Sequence, residues 1–93
     1  MKITEIKENK KQYIDLLLLA DEQESMIDRY LERGDMFVLN DNGVKAICVV
    51  ADETNGICEL KNIAVTSESQ RQGYGKRLIN YLVKHYAGKY TQM

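Results

Sequence analysis

Glycines and cationic side chains occur together in one short segment, directly before a run of apolar residues at helical spacing. The segment consists of Gln70, Arg71, Gln72, Gly73, Tyr74, Gly75 and Lys76. Backbone N–H groups in the first turn of a helix have no partners within the helix, and the aligned peptide dipoles place partial positive charge there. The glycines let an anion approach these N–H groups, while Arg71, Lys76 and Arg77 add positive charge. The segment is therefore predicted to bind a diphosphate.

Two familiar nucleotide-binding motifs do not fit this segment. A dinucleotide fingerprint needs a third glycine three residues after Gly75, where Leu78 stands. A Walker loop needs a glycine where Gln70 stands. It also needs Ser or Thr after Lys76, and Arg77 occupies that position. The diphosphate ligand must therefore be recognised through another pattern.

The residues that follow the segment predict the strongest helix of the chain, because their apolar positions recur every three or four residues. These positions are Leu78, Ile79, Leu82, Val83 and Tyr86. Gly88 is expected to end this helix. The segment thus lies at the entrance of an amphipathic helix.

Three apolar runs before the segment predict an antiparallel meander. The first covers residues 36–39, the second starts at Val44 and continues to Asn55, and the third covers residues 57–65. The turns between them are marked by the Asn-Gly pairs Asn42-Gly43 and Asn55-Gly56. Asn-Gly favours the positive φ angles of a tight hairpin. The third run leads directly to the glycine-containing segment.

The first third of the chain is predicted to contain one strand and two helices. Residues 1–6 form the opening strand, and helical spacing of apolar side chains follows over residues 8–20 and 26–33. Ser25 is the expected N-cap of the second helix, and Gly34 its stop.

Composition predicts a single folded domain over residues 1–93, with 44% apolar and 29% charged residues. The formal net charge is −1 with scattered cations, so nucleic acid is not an expected partner.

The longest apolar run, residues 16–20, is far too short to span a bilayer and no signal peptide is evident, so a cytoplasmic protein without membrane contact is expected. Cys48 and Cys58 lack the spacing of a metal site and are expected to be buried free thiols.

The segment at residues 70–75 resembles the acetyl-CoA loop of the GNAT acetyltransferases, which reads Gln or Arg, any two residues, Gly, any residue, then Gly or Ala. Gln70, Gly73 and Gly75 occupy the fixed positions. Residues 60–65 resemble the family's fourth strand, and the order of elements is also similar. The resemblance covers essentially the whole chain. It implies an α+β fold, assigned to α/β in some schemes, in which helices flank an antiparallel meander.

The resemblance also implies a ligand and a reaction. The backbone of Ile63, Ala64 and Val65 would pair with the pantetheine arm of acetyl-CoA as an added strand would, while N–H groups of residues 70–76 hold the pyrophosphate. A backbone N–H beside Ile63 and Ala64 would polarise the thioester carbonyl, and a primary amine would attack it directly. The implied function is an N-acetyltransferase that uses acetyl-CoA as co-substrate and no metal. Whether the amine belongs to a small metabolite, a peptide N-terminus or a protein lysine stays open.

The attacking amine must lose a proton, which calls for a base. Glu59 stands ahead of the loop at a distance similar to that of the glutamate used by histone-type members of the family. The resemblance therefore makes Glu59 the candidate catalytic base. The alternative interpretation is a solvated strand glutamate paired with a neighbour such as Lys61.

Family domains usually continue past the long helix with a fifth strand, a helix that supplies a tyrosine as general acid, and a closing hairpin. These elements are not present before Met93, so a truncated domain is expected. The third strand of the meander would then have an unpaired edge and the long helix an uncovered face, which predicts self-association as a homodimer. The alternative function is a non-catalytic acyl-CoA-binding or dimerisation module.

Overall fold

A four-stranded antiparallel sheet forms the centre of the protein in the computed structural model, which describes residues 1–54 and 57–87. The strand order is the order of the sequence. The strands are β1 (Lys2–Ile6), β2 (Asp35–Asn40), β3 (Val44–Thr54) and β4 (Ile57–Val65). The predicted meander is confirmed, and the opening strand extends it by pairing with β2.

The turn between β2 and β3 has the geometry that its Asn-Gly pair predicts. Asn42 and Gly43 have φ angles of 57° and 108°. The Gly43 N–H donates to Oδ1 of Asn40 at 3.0 Å, and the Asp41 N–H donates to the Gly43 carbonyl at 2.9 Å. The second Asn-Gly pair, Asn55-Gly56, lies outside the described residues, as does Gly88.

The two early helices are shorter than predicted. Helix α1 (Ile14–Leu17) follows a 3-10 turn, and α2 (Glu24–Asp28) contains five residues. After α1 the chain forms a tighter turn, in which the Leu19 N–H donates to the Leu16 carbonyl three residues back. Leu19 itself is 55% exposed, so a longer helix would bury little more apolar surface.

The prediction that Ser25 caps the second helix is wrong. The helix begins at Glu24 after an extended Gln23, whose main-chain carbonyl accepts the first helical hydrogen bonds from Met26 and Ile27. Because Ser25 already lies inside the first turn, its hydroxyl cannot act as the cap. Gly34, the predicted stop, stands six residues after the end of the helix at Asp28, and its N–H donates to the Tyr30 carbonyl at 2.9 Å.

Helix α3 (Tyr74–His85) covers one face of the sheet, and α1 and α2 cover the other. The core under α3 includes Phe37, Leu39, Cys48, Leu78 and Leu82. The core under α1 and α2 includes Leu17, Ile27, Leu31, Val38 and Val49. Alternate residues of β2 and β3 face the two cores, as the period of a strand requires.

Two features of this arrangement agree with the expected uncovered surfaces. Ile79 and Val83 of α3 are 43% and 58% exposed, so the buried stripe is narrower than the apolar stripe of the sequence. Among the described strands, β4 forms one edge of the sheet. Self-association through these surfaces stays a prediction.

Both cysteines are buried free thiols, as predicted. Burial raises the pKa of the Cys48 thiol to about 12. Within residues 1–54 and 57–87, no helix is long and apolar enough to cross a membrane. In the same part of the chain, no group of three His, Cys, Asp or Glu side chains is arranged to hold a metal ion.

Candidate functional site

The glycine-containing loop connects a 3-10 turn, Ser67–Ser69, to the first residue of α3. Two of its residues have left-handed backbone, Arg71 at φ 66° and Gly73 at φ 83°. The first hydrogen bond of the helix runs from the Arg77 N–H to the Gly73 carbonyl at 3.0 Å. The N–H groups of residues 74–76 precede this bond and therefore point out of the open end of the helix.

The two glycines contribute in different ways. Gly73 is the N-cap of α3, where its positive φ is costly for any residue with a Cβ. A Cβ at Gly73 would meet no protein atom within 4 Å, and one at Gly75 would lie in ordinary contact with Val65, 3.7 Å from its Cγ2. Lack of space inside the protein therefore does not explain either glycine. A ligand can reach the space beside them.

The charge around this helix entrance is positive. The first turn of α3 contains no acidic residue, and Arg71, Lys76 and Arg77 are all exposed. A non-glycine residue held in left-handed backbone, such as Arg71, stores conformational energy of order 1 kcal/mol and is enriched at binding sites. Dipole, free N–H groups and cations together can bind a phosphate anion.

The glutamine side chains of the loop turn back toward the protein. Nε2 of Gln70 donates to the Val65 carbonyl and Nε2 of Gln72 to the Glu68 carbonyl, both at 3.4 Å. These long bonds brace the turn between β4 and α3 from the side of the protein. A ligand at this segment would therefore contact main-chain N–H groups rather than the amide side chains of Gln70 and Gln72.

The side chain of Tyr74 anchors the start of α3 to another part of the fold. Its hydroxyl donates to Oδ2 of Asp41 in the β2–β3 turn at 2.8 Å, and this bond raises the pKa of Tyr74. Its ring packs against the core under α3. Nothing in the sequence pattern indicates this contact, because the two residues are 33 positions apart.

Strand β4 positions Ile63, Ala64 and Val65 next to the loop. They pair with Cys48, Ile47 and Ala46 of β3, and the main-chain groups on the other side of β4 face away from the described sheet. A β-bulge lies just before them, because Val49 pairs with Asn62 while Val50 pairs with Leu60. Bulges twist a strand and redirect its side chains. The predicted pantetheine-binding residues and pyrophosphate loop are thus separated by only four residues, and the Gln70 side chain contacts the end of β4.

Glu59 lies on β4 opposite Ala51 and is exposed. Its Oε1 is 3.4 Å from Nζ of Lys61, the ion pair that the alternative interpretation predicts. Glu59 precedes Ile63 by four positions, about 13 Å along an extended strand. The structure therefore places Glu59 on the strand that leads to the loop and not in the loop itself.

Sequence reasoning missed a buried polar network that joins β4 to the early helices. Nδ2 of Asn62 donates to the Leu17 carbonyl at 3.1 Å and to the Tyr30 hydroxyl at 3.0 Å. The Tyr30 hydroxyl is also 3.3 Å from Oδ2 of Asp21, and burial raises the pKa of Tyr30. One signal was available, since Asn62 is a lone amide inside the apolar run of residues 60–65.

A cavity of about 270 Å³ opens between α1 and the turn that follows β4. Its lining residues are Asp15, Leu16, Leu19, Thr66, Ser67 and Glu68. Within the described residues, the buried Thr66 hydroxyl has no hydrogen-bond partner. The cavity lies beside the first residues of the loop and widens the accessible surface there.

Residues 32–93 match the family described as Acetyltransferase (GNAT) domain. The chain is also 34% identical over 73 residues to an uncharacterised N-acetyltransferase, YvbK, of Bacillus subtilis. This match covers 77% of the chain and 47% of YvbK. The chain belongs to the GNAT acetyltransferase family.

Solved structures agree with this assignment. A GNAT acetyltransferase from Elizabethkingia anophelis with bound acetyl-CoA superposes with a TM-score of 0.85 at 30% identity, over 95% of the chain and 58% of that protein. A Bacillus subtilis acetyltransferase in complex with CoA gives 0.84 at 30% identity, over 94% of the chain and 58% of that protein. The chain therefore has the GNAT fold, and it spans about half the length of its curated relative.

Proposed function

We propose that this chain transfers an acetyl group from acetyl-CoA to a primary amine by direct attack of the amine on the thioester. The observation that carries the proposal is the open entrance of α3, where Gly73 and Gly75 border accessible space and no acidic residue lies in the first turn. Acetyl-CoA or CoA is bound in two similar GNAT structures, which supports the same ligand here.

The pyrophosphate of acetyl-CoA would accept hydrogen bonds from the main chain of residues 70–76. The pantetheine arm would lie along the outer edge of β4 at residues 63–65, where strand-like pairing is available. A main-chain N–H at this edge would stabilise negative charge on the thioester oxygen as the amine attacks. The bulge before Ile63 supports this placement, because it redirects the strand at that point.

Glu59 is the proposed acceptor of the amine proton, through water. Its exposure keeps it accessible, and its ion pair with Lys61 keeps it on the same side of the strand as α2. The C–N bond forms as the C–S bond breaks, CoA leaves as thiolate, and the proton is passed to solvent or to the thiolate.

Calorimetry with acetyl-CoA and a coupled assay for CoA thiol release test this function together. Saturable binding with thiol release for some amine supports the enzyme. Saturable binding without release for any amine would favour the non-catalytic acyl-CoA-binding module. Absence of binding would overturn both.

The role of Glu59 is tested separately with Glu59→Gln. If it is the base, kcat falls about a hundredfold while the affinity for acetyl-CoA stays unchanged. Glu22→Gln, an exposed carboxylate away from β4, is the matched control and should behave as the parent. Equal rates for Glu59→Gln and the parent would leave Glu59 as a strand glutamate that only pairs with Lys61.

A further inference from the structure

The outer edge of β4 in the described sheet presents the main-chain N–H groups of alternate residues. The Thr66 N–H, just after the strand, donates to the Lys45 carbonyl of β3 at 2.9 Å. Main-chain groups point to the two sides of an antiparallel strand in alternation, so the Ala64 N–H also points to β3 and the Ile63 N–H points outward. Under the proposed function, this outward N–H is the donor that is available to the thioester carbonyl.

The β-bulge before Ile63 determines which N–H groups of β4 point outward. Before the bulge, Leu60 packs against the core under α3. Strict alternation from Leu60 would place Asn62 and Ala64 under α3 as well. Because the bulge adds one residue to β4, Ala64 packs instead in the core under α1 and α2, and Ile63 packs against the core under α3. The face of a side chain and the direction of its N–H alternate together, so the bulge sets both.

Asn62 is the first residue of β4 that pairs with β3 after the bulge, and it is only 3% exposed. Its Nδ2 donates to the Leu17 carbonyl of α1 at 3.1 Å and to the hydroxyl of Tyr30, which follows α2, at 3.0 Å. Both bonds hold the side chain on the face of the sheet that α1 and α2 cover. A slip of the strand by one residue would break both bonds.

The stability of the core does not explain this amide. Within the described residues, Oδ1 of Asn62 is buried and has no hydrogen-bond partner, which is an energetic cost. The Leu17 carbonyl also accepts from the N–H groups of Ala20 and Asp21. The Tyr30 hydroxyl is 3.3 Å from Oδ2 of Asp21. An apolar side chain in place of Asn62 would therefore leave neither group unpaired, and it would remove the unpaired oxygen.

We propose that Asn62 is a positioning residue for acetyl transfer, which holds the strand so that the Ile63 N–H points at the thioester carbonyl. This inference rests on the proposed function. In this role Asn62 acts through the main chain of its neighbour and makes no contact with the thioester. Hydrogen bonds weaken steeply when they are misaligned, so a donor that is not held in place stabilises the developing negative charge poorly. The packing of α1 and α2 on the sheet is thereby linked to the reacting centre.

Asn62→Ala tests the proposal by CoA thiol release. It should lower kcat by about ten- to a hundredfold, whereas the Kd for acetyl-CoA stays within about threefold of the parent, because the lost interaction matters most in the transition state. A kcat within about threefold of the parent overturns the inference. Thiol release by the parent leaves the proposed function standing in that case.

Lys10→Met is the control that separates positioning from loss of stability. Lys10 is also a buried donor, and its Nζ binds main-chain carbonyls of Leu31, Glu32 and Gly34, but it makes none of these bonds to β4. Lys10→Met should therefore destabilise the protein in urea at least as much as Asn62→Ala does, and should leave kcat unchanged. An equal fall of kcat in Lys10→Met and Asn62→Ala overturns the inference, because general destabilisation then accounts for both.

Tyr30→Phe decides the question if Asn62→Ala does not fold. It keeps the ring in the core and removes only the hydroxyl that accepts from Asn62, so one of the two bonds is lost. The expected result is a kcat lower by about threefold with an unchanged Kd for acetyl-CoA. In the folded double variant with Asn62→Ala, the loss of Tyr30 should add little. An unchanged kcat in Tyr30→Phe overturns the inference if Asn62→Ala is unfolded.

Nuclear magnetic resonance tests the proposal without turnover. In ¹⁵N-labelled parent protein, exchange of bound CoA for acetyl-CoA adds the thioester carbonyl and should shift the Ile63 N–H proton downfield. In Asn62→Ala or Tyr30→Phe this shift should fall to roughly half or less, while the Gly75 N–H responds to CoA as in the parent. An equal Ile63 shift in parent and variants overturns the inference alone. Absence of the shift in the parent overturns the proposed thioester placement and the inference with it.

Discussion

The loop at residues 70–76 and the cavity lined by Met26, Arg29, Tyr30, Arg33 and Lys61 are built in opposite ways. The loop presents main-chain N–H groups at the start of a twelve-residue helix, and its residues are consecutive. The cavity uses side chains from α2, from the turn after it and from β4, with Arg29 and Lys61 32 positions apart. The loop therefore depends on backbone preferences of neighbouring residues, whereas the cavity depends on the packing of segments that are distant in sequence.

The strongest way to break this comparison is to place a carboxylate in the loop. Gly73→Glu should lower acetyl-CoA affinity roughly a thousandfold, because it adds a negative charge at the proposed pyrophosphate site and places a side chain on backbone of positive φ. Calorimetry measures the loss.

Gly43→Glu is the matched control for backbone strain. Gly43 also has positive φ and open space around its Cβ position, but it lies in the β2–β3 turn. Both variants should lose about 1–2 kcal/mol of stability, yet only Gly73→Glu should lose the ligand. Equal acetyl-CoA affinity of Gly73→Glu and the parent would refute the main-chain site.

Lys10→Met should damage the cavity side of the molecule and spare the loop. Nζ of the buried Lys10 donates to the carbonyls of Leu31 at 2.9 Å, Glu32 at 3.2 Å and Gly34 at 2.6 Å. Without it these carbonyls lose a charged donor, which should cost about 2–3 kcal/mol in urea unfolding.

The exposed Lys7→Met serves as the control and should leave stability unchanged within about 0.5 kcal/mol. In Lys10→Met, the Kd for acetyl-CoA should stay unchanged, because Lys10 braces the turn after α2 and not the loop. Weaker acetyl-CoA binding would show that the two regions are not separate.

The smallest expected effect concerns the bond between Tyr74 and Asp41. Tyr74→Phe removes a 2.8 Å hydrogen bond that fixes the start of α3, and should weaken acetyl-CoA binding a few-fold, or about 1 kcal/mol. Asp41→Ala should do the same, and the double variant should add little. Additive losses in that double-mutant cycle would mean that the two side chains act independently.

Much of the fold could be predicted, but not the lengths of α1 and α2. The hairpin at Asn42-Gly43 and strand β4 were predicted correctly, because turn residues and apolar runs act locally. The lengths of the early helices depend on which of their apolar side chains are buried in a core, and Leu19 is exposed. The cap at Ser25 failed for a related reason, since the helix start was decided by where the chain enters the packed structure.

The sequence by itself determined the loop, its place before an amphipathic helix and the strand that leads to it. These features depend on backbone preferences of neighbouring residues, which a linear pattern records. Only the tertiary structure decided the network of Asn62, the burial of Lys10 and the convergence of Arg29, Arg33 and Lys61. Such contacts depend on the register of β4 and the seating of α2 on the sheet, and packing of distant segments sets both.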